Sequence, residues 1–496
     1  MRGQLDRYIE AELYWVLHAP RQSGKTTFLQ SWMRKINAEG KAVACYVSVE
    51  TGQGITDEEK AIPGLCSAIR SFARDFLGQE FMPPVSPEPA AMMLSDTLHQ
   101  WAALVAPKPL VVLFDEVDVL QDQAMVSFLR QLRSGFSKRG IGIFPISVAL
   151  VGMRDLRDYL VRSKDGVGLR SGNPFNIKQD SATLSSFSSQ DVRSLVAQHT
   201  EETGQVFSEE ALALVYELTR GQPWLVNALL QKCVWQLCPK GERVGIEQIE
   251  AARELLITER AVHLDSLAER LRDPRVKRIV QSIMIGESDP TLTRGDDFLL
   301  TLDLGLVTKE GGGASISNPI YRETIARVLS EGMQDAIPAP EFRWRRPDGK
   351  LDMEALFHEF QRFWRRHADI WEEKADYTEA FPHLLLMAFL QRVVNGGGRI
   401  EREYAAGRGR MDLAVLYGGA WSIIEIKLVH PGDGRATTVT EGLEQVIRYR
   451  DTIDRSADAW LVVFDRTPAG RLKSWEQRLT WEALETVGGG VTVVGG

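Results

Sequence analysis

Short apolar runs alternate with helix-like segments over the first 175 residues of the chain. Each run has the length and composition of a buried strand, and the segments between the runs carry apolar residues at helical spacing. Strands and helices in this succession predict a parallel sheet flanked by helices, which is an α/β fold. The predicted strands are residues 14–18, 42–48, 110–114 and 146–151.

Two polar segments interrupt this pattern. The stretch PPVSPEP at residues 83–89 is typical of a surface loop, because proline favours turns and extended backbone. Residues 163–180 are polar and rich in glycine, and we predict a mobile loop there.

Helical periodicity dominates from there to about residue 285. It predicts helices over 189–200 and 208–218, the second with Ser208 as its N-cap. A helix over 275–285 then precedes a helix, a short strand, a Gly-rich hairpin and a second strand, the order found in a winged helix. Residues 336–350 combine three prolines with a basic cluster and predict an interdomain linker.

Length and composition describe a soluble protein of several domains. A chain of 496 residues is too long for one core, and its hydrophobic content of 44% is ordinary for a globular protein. No apolar run is long enough to span a bilayer, and no secretory signal is present at the N-terminus, so we expect a cytoplasmic location and no membrane partner. The four scattered cysteines are predicted to be reduced core residues.

A phosphate-binding loop follows the first predicted strand. The segment APRQSGKTT fits GxxxxGK[ST] except at its first position, where alanine replaces glycine. In such a loop the backbone N–H groups surround the phosphates, Lys25 reaches the terminal phosphates, and the Thr26 hydroxyl ligates Mg²⁺. We therefore predict that ATP and Mg²⁺ are the cofactors, held by Ala19, Pro20, Arg21, Gln22, Ser23, Gly24, Lys25, Thr26 and Thr27.

An acidic pair ends the strand LVVLFDE. Asp115 is delivered to the sheet edge, where it can hold Mg²⁺ directly or through water. Glu116 can orient or deprotonate the attacking water, and we predict it as a catalytic residue.

Two further positions are candidates for nucleotide sensing. Arg154 follows the strand ISVALV at the same predicted sheet edge as Asp115, although a surface salt bridge is an alternative. Pro223 lies in the sequence GQP at a helix start, where an ordinary helix-entry turn is the alternative.

Residues 1–335 resemble the STAND and archaeal-type branch of the AAA-like P-loop ATPases. The resemblance rests on the loop from Ala19 to Thr26, on LVVLFDEVD, on the strand ending at Arg154, on GQP and on NPIYRETIARVL. It implies an ATPase core at residues 1–178, a helical lid at 179–244 and a winged-helix-like domain at 245–335. It also implies that Arg154 and Pro223 contact nucleotide and switch the lid and the winged helix. The alanine at position 19 departs from the family pattern, a difference that bears on the turnover rate more than on nucleotide binding.

A second acidic motif lies near the C-terminus. Asp412 belongs to the strand-like MDLAVLY, and a Gly-Gly turn leads to the strand WSIIEIKL. Because side chains alternate along a strand, Glu425 and Lys427 share one face while Ile424 and Ile426 face the other side. Asp412 and Glu425 are predicted metal ligands, and Glu425 and Lys427 are predicted catalytic residues that act through a metal-activated water.

The flanking helices carry further polar candidates. Glu379 lies near the start of the amphipathic segment YTEAFPHLLLMAFLQRVV and is a candidate metal ligand or water-orienting group. Gln445 and Tyr449 lie one helical turn apart on a downstream helix.

This second set of residues is similar to the PD-(D/E)XK nuclease superfamily, the restriction-endonuclease-like α/β fold. The resemblance covers about residues 375–466 and implies a nuclease-like domain at 351–496. The sequence leaves open whether the fold is active or degenerate.

Charge and aromatic patterns refine the expected partners. The net charge of −8 gives no global basic surface, so nucleic-acid contacts would come from local arginine clusters, and these could equally be solvated faces. The aromatic stripe of residues 357–371 is predicted to be core or an interdomain packing face, with base stacking as the alternative.

The leading hypothesis is an ATP-controlled, metal-dependent endonuclease, with nucleic acid as partner, DNA favoured over RNA, and self-association into a homo-oligomer open. By analogy of architecture alone, such fusions suggest a defence or mobile-element context. The alternative is a signalling or scaffold ATPase whose nuclease-fold domain only binds nucleic acid or protein.

Overall fold

The structure is a computed structural model. It describes residues 2–20, 22–136, 143–153, 178–238, 241–259, 262–284, 295–310, 313–334, 344–372, 386–387, 389–390, 398–404, 411–429, 434–465, 467, 474–486 and 489–495. Arg21, Arg154 and Glu379 lie outside these ranges, and Asp412 is described by its backbone alone.

The chain divides into two compact units. The first comprises Met1–Tyr216, Arg220–Ile246 and Asp303–Gly305, and the second comprises Glu217–Thr219, Glu247–Leu302 and Leu306–Gly496. Within the described ranges, every helix is too short or too polar to cross a membrane.

The first unit is built on a five-stranded sheet, and its elements run from α1 to α8. They are α1 (Arg2–Glu10), β1 (Tyr14–His18), α2 (Lys25–Glu39), β2 (Val43–Ser48), α3 (Glu58–Leu77), α4 (Ala90–Val105), β3 (Leu110–Asp115), α5 (Asp122–Phe136), β4 (Ser147–Gly152), β5 (Lys178–Thr183), α6 (Ser189–Thr203), α7 (Glu209–Thr219) and α8 (Pro223–Lys232). A π-helical turn, Cys233–Leu237, follows α8.

The sheet of the first unit has the order β2-β3-β4-β1-β5, and all its described pairings are parallel. The strands β1, β2, β3 and β4 are buried on both sides, which explains why they are continuous apolar runs. One face packs against α3, α4 and α5 and the other against α1 and α2, so the sheet lies between two helical layers. The predicted α/β architecture with a parallel sheet is confirmed.

One loop prediction is wrong at its end. The polar segment predicted as a mobile loop over 163–180 runs into β5, which pairs with β1 from Lys178 onward. This edge strand exposes Asp180 and Thr183 and buries Ala182, so it lacks the continuous apolar pattern that marks the central strands. The predicted loop at 83–89 is confirmed, since no helix or strand forms there.

The second unit contains helices and two further sheets. Its elements are α9 (Ile246–Thr258), α10 (Val262–Arg270), α11 (Pro274–Met284), α12 (Asp296–Asp303), β6 (Val307–Glu310), β7 (Gly313–Ile316), α13 (Pro319–Gln334), α14 (Met353–Glu372), β8 (Gly398–Tyr404), β9 (Met411–Tyr417), β10 (Ala420–Val429), α15 (Arg435–Ile453), β11 (Asp458–Asp465), α16 (Trp475–Arg478), β12 (Trp481–Thr486) and β13 (Gly489–Gly495). β6 and β7 form the predicted hairpin.

The larger sheet of the second unit is mixed, with the order β12-β13-β11-β10-β9-β8. The β10–β11 and β11–β13 pairs are parallel, and the other pairs are antiparallel. α15 covers one face through Val446 and Tyr449. α14 covers the other, where Phe357 and Phe360 contact Trp460 and Phe464.

The aromatic residues of α14 were predicted to be core or an interdomain packing face, and the described members of the stripe lie in the core between α14 and the sheet. The four cysteines are likewise buried and free.

Candidate functional site

The loop between β1 and α2 forms one wall of a cavity in the first unit. Its backbone takes the left-handed conformation at Gln22, with φ of 59°, and at Gly24, with φ of 82°. Gly24 caps α2, so the N-terminal N–H groups of a fifteen-residue helix face the loop. Unpaired N–H groups at a helix start attract anions, and a phosphate fits this position.

Lys25 completes the loop. Its amino group donates to the carbonyl oxygens of Ala19 at 2.7 Å and Pro20 at 2.8 Å. Ser23 also donates to the Pro20 carbonyl, at 2.8 Å. The ammonium group therefore lies against the loop itself, where a phosphate would meet it.

The end of β3 supplies the acidic side of the cavity. Asp115 is fully buried, and its Oδ2 accepts from the Thr26 hydroxyl at 2.7 Å. This hydrogen bond joins residues 89 positions apart and brings the two motifs predicted from sequence into contact. A hydroxyl and a carboxylate side by side are the oxygen ligands that Mg²⁺ prefers.

Glu116 follows in the left-handed conformation, with φ of 61°. Its Oε2 accepts from the Ser48 hydroxyl at 2.8 Å. Burial raises the pKa of Glu116, the Ser48 hydrogen bond lowers it, and the neighbouring carboxylates of Glu50, Asp115 and Asp118 raise it further. A carboxylate in such surroundings accepts a proton more readily than an exposed glutamate does.

The cavity between these elements has a volume of about 540 Å³, which is in the range of small-molecule sites. Many of its lining residues belong to the motifs predicted from the sequence. Glu50, Gln53, Trp224 and Asn227 also line the cavity and belong to no predicted motif.

The first turn of α8 forms another wall of the cavity, with Pro223 at its start. Gln222 caps this helix, accepting from Leu225 N at 2.6 Å, and its amide Nε2 donates to the Gln22 carbonyl at 3.3 Å. One side chain thus joins the helix start to the phosphate-binding loop. Gly221, with φ of 73°, allows this turn, because a Cβ there would lie 1.9 Å from the Phe187 carbonyl oxygen.

Arg154 lies outside the described residues, so its position at the same sheet edge as Asp115 stays a prediction. The backbone just before it is described: β4 ends at Gly152, beside the end of β3, and Met153 lines the cavity. Asp118 faces this point, since a Cβ on Gly152 would lie 3.3 Å from its Oδ1.

The C-terminal candidates lie on β9 and β10. Glu425 and Lys427 face α15 and are almost completely buried, with side-chain exposures of 1% and 3%. Lys427 forms an ion pair with Glu425 and a hydrogen bond with the Gln445 amide oxygen. The shared face predicted from strand alternation is therefore present, and it lies beneath a helix.

Asp412 is placed by its backbone. The β9–β10 ladder runs from Tyr417 opposite Ala420 to Leu413 opposite Ile424, so Asp412 and Glu425 each lie one residue beyond the last pair. Glu379, the third predicted ligand, is outside the described residues. Among the described residues, no three histidine, cysteine, aspartate or glutamate side chains form a metal-binding group.

These features define the class of the first unit: an α/β protein in which a loop with the phosphate-binding sequence pattern follows β1, acidic residues lie at the end of β3, and a cavity lies between them. No protein-family model matches the sequence, and no curated protein matches it.

Three solved structures are similar in part. The Walker-type ATPase of Pyrococcus abyssi is 15% identical with a TM-score of 0.47, and the match covers 65% of this chain and 94% of that one. The RuvB Holliday junction branch migration motor of Thermotoga maritima is 13% identical with a TM-score of 0.36, covering 65% and 92%. Cdc6p from Pyrobaculum aerophilum is 14% identical with a TM-score of 0.36, covering 67% and 93%. Similarity at this level is too low to assign a function.

Proposed function

We propose that the first unit binds and hydrolyses ATP with Mg²⁺. The observation that carries the proposal is the hydrogen bond from Thr26 to Asp115, made at the wall of a cavity that also contains Lys25 and Glu116. The loop N–H groups and Lys25 would hold the phosphates, and Thr26 and Asp115 would hold the metal. When bound, Mg²⁺ neutralises phosphate charge. Glu116 orients the attacking water and accepts its proton.

Nucleotide binding and turnover test this proposal separately. We expect Lys25→Ala to weaken ATP binding by at least tenfold in calorimetry, because it removes the cation from the phosphate loop. We expect Glu116→Gln to bind ATP like the wild type and to lose about 100-fold or more in kcat. Full turnover by Glu116→Gln would exclude its role as base, and ATP binding unchanged by Lys25→Ala would exclude the site.

We further propose that ATP controls a metal-dependent nuclease in the C-terminal part of the chain, acting on nucleic acid, with DNA favoured. Support comes from the mixed sheet, from Glu425 and Lys427 on one face of β10, and from Asp412 at the adjoining end of β9. The same proposal includes roles for Arg154, Pro223 and Glu379, a winged helix before this domain, and assembly into a homo-oligomer.

The burial of Glu425 and Lys427 favours a second candidate. A fully buried ion pair beneath a helix can be structural, and the domain would then be a degenerate nuclease fold that binds nucleic acid or protein. The first unit would act as a signalling or scaffold ATPase in this case.

Plasmid nicking with Mg²⁺, with and without ATP, distinguishes the two candidates. Removing one member of a buried pair destabilises a protein by about 3–5 kcal/mol, so each variant needs a thermal unfolding control. We therefore choose the isosteric Glu425→Gln. If the wild type nicks the plasmid and the folded Glu425→Gln variant does not, the result supports the nuclease. If the wild type does not nick, or if Glu425→Gln nicks like the wild type, the result supports the degenerate fold. Nicking that ignores both ATP and Lys25→Ala would exclude ATP control.

A further inference from the structure

A tyrosine from the neighbouring strand contacts the Asp115 carboxylate. The Tyr46 hydroxyl lies 3.1 Å from Asp115 Oδ2 and donates to it. β2 and β3 are parallel neighbours, with Tyr46 opposite Leu113 and Ser48 opposite Asp115. Tyr46 and Asp115 belong to the same buried face of the sheet, the one that packs against α2.

Among the described residues, three hydrogen bonds reach the Asp115 carboxylate. Oδ2 accepts from the Thr26 hydroxyl at 2.7 Å and from Tyr46 at 3.1 Å, and Oδ1 accepts from the Glu116 backbone N–H at 2.9 Å. A carboxylate has about four acceptor positions, two on each oxygen. Oδ2 is therefore filled by its two donors, and the remaining position is on Oδ1.

The Tyr46 ring is held firmly where it is. It is buried, and it packs edge-on against Phe72 at 5.6 Å and Phe76 at 6.2 Å between ring centroids. Burial raises the pKa of the Tyr46 phenol, and the charge of Asp115 raises it further. A tyrosine hydroxyl, whose ordinary pKa is about 10, is protonated at physiological pH and can donate to the carboxylate.

We propose that Tyr46 is a positioning residue for the nucleotide site: by filling Oδ2, it fixes the rotation of the Asp115 carboxylate and presents Oδ1 to Mg²⁺ or to a water bound to it. The inference rests on the proposed ATPase function. Turning the carboxylate would break a hydrogen bond to a buried charge, which is among the stronger hydrogen bonds in proteins. Tyr46 is not among the described residues that line the cavity, so in this arrangement it acts through Asp115.

The test is Tyr46→Phe, which removes one oxygen and keeps the ring that packs on Phe72 and Phe76. ATP affinity is measured by calorimetry in Mg²⁺ and in EDTA. We expect affinity in EDTA to stay within about twofold of wild type, because phosphate contacts are intact. We expect the gain in affinity on adding Mg²⁺ to shrink about tenfold, the effect of one hydrogen bond to a charged group. The Mg²⁺ concentration for half-maximal turnover should rise accordingly.

Tyr14→Phe is the matched control. Tyr14 is fully buried on β1 of the same sheet, and its hydroxyl donates to the Pro145 carbonyl at 2.9 Å. The substitution removes the same atom and a buried hydrogen bond, but no contact with Asp115. It should lower the unfolding temperature while the gain in ATP affinity from Mg²⁺ stays unchanged.

The possible outcomes distinguish a failure of the role proposed for Tyr46 from a failure of the proposed ATPase function. A wild-type chain that binds no ATP overturns the proposed ATPase and the inference together. A wild type whose ATP affinity rises with Mg²⁺, beside a folded Tyr46→Phe with the same rise, overturns the inference alone. An equal loss in Tyr46→Phe and Tyr14→Phe would also overturn it, because the effect would then come from sheet stability.

Discussion

Glu116 is the residue whose surroundings give the proposed site its pH dependence. Burial raises its pKa, the carboxylate of Glu50 raises it further, and the Ser48 hydrogen bond opposes both effects. A base must be deprotonated to accept a proton, so the rate falls as pH drops through this pKa. The fall should therefore begin above the ordinary glutamate value of about 4.3.

Two substitutions should shift the acid limb of the pH–rate profile, the fall in rate at low pH, in opposite directions. Glu50→Gln removes a negative charge, which lowers the pKa of Glu116 and shifts the limb to lower pH. Ser48→Ala removes the donor that stabilises the ionised form, which raises the pKa and shifts the limb to higher pH. The measurement is kcat/KM for ATP against pH. Shifts of the same sign in both variants would contradict the assignment of Glu116 as the titrating base.

For individual residues, the sequence predicted those that belong to motifs and missed the residues that form hydrogen bonds with them. Lys25, Thr26 and Asp115 belong to recognisable spacings, and the structure brings them together. Tyr46 and Ser48 act from β2, which belongs to no motif. Their two-residue spacing places both on one strand face, but only the order of strands in the sheet shows that this strand lies beside Asp115.

At the scale of elements, apolar patterning predicted the central strands well. β1 lies at the predicted residues 14–18, and β2, β3 and β4 differ from prediction by about one residue at an end. These strands are buried on both faces, so their sequences are continuous apolar runs. β5 was missed because it is a polar edge strand. β12 and β13, at one edge of the C-terminal sheet, were missed as well.

Gly442 determines how closely α15 approaches the C-terminal sheet. A Cβ at this position would lie 2.6 Å from Leu461 Cδ1 and 3.1 Å from Lys427 Cγ. We expect Gly442→Ala to push the helix away from β10 and β11 and to destabilise this part of the chain by about 1–3 kcal/mol, the usual effect of overpacking. Thermal unfolding followed by calorimetry measures the loss.

Gly64→Ala is the control for the substitution itself. Gly64 lies in α3, and a Cβ there meets nothing within 4 Å. Alanine at an exposed helical position should stabilise by about 0.5–1 kcal/mol. If Gly442→Ala stabilised the protein as Gly64→Ala is expected to, the result would contradict the close packing of α15 against the sheet.

At the scale of the whole molecule, the proposal requires that nucleotide bound in the first unit change the second. Ligand binding alone stabilises the folded state by RT ln(1 + [L]/Kd), or about 2.7 kcal/mol when ATP is at 100 times its Kd. That stabilisation is local to the binding unit unless the two units are coupled. ATP is therefore expected to raise the unfolding temperature of the first unit in the wild type and to raise it less in Lys25→Ala, whose affinity for ATP is lower.

Hydrogen exchange distinguishes coupling from local stabilisation. If ATP controls the C-terminal part, it should change the protection of backbone amides in α15, which covers Glu425 and Lys427, as well as amides in the phosphate-binding loop. Increased protection would mean that ATP stabilises the packing of this helix over the buried pair, and decreased protection would mean that ATP weakens it. Protection gained in the loop and unchanged in α15 would leave the ATPase intact and exclude control of the C-terminal part through this helix.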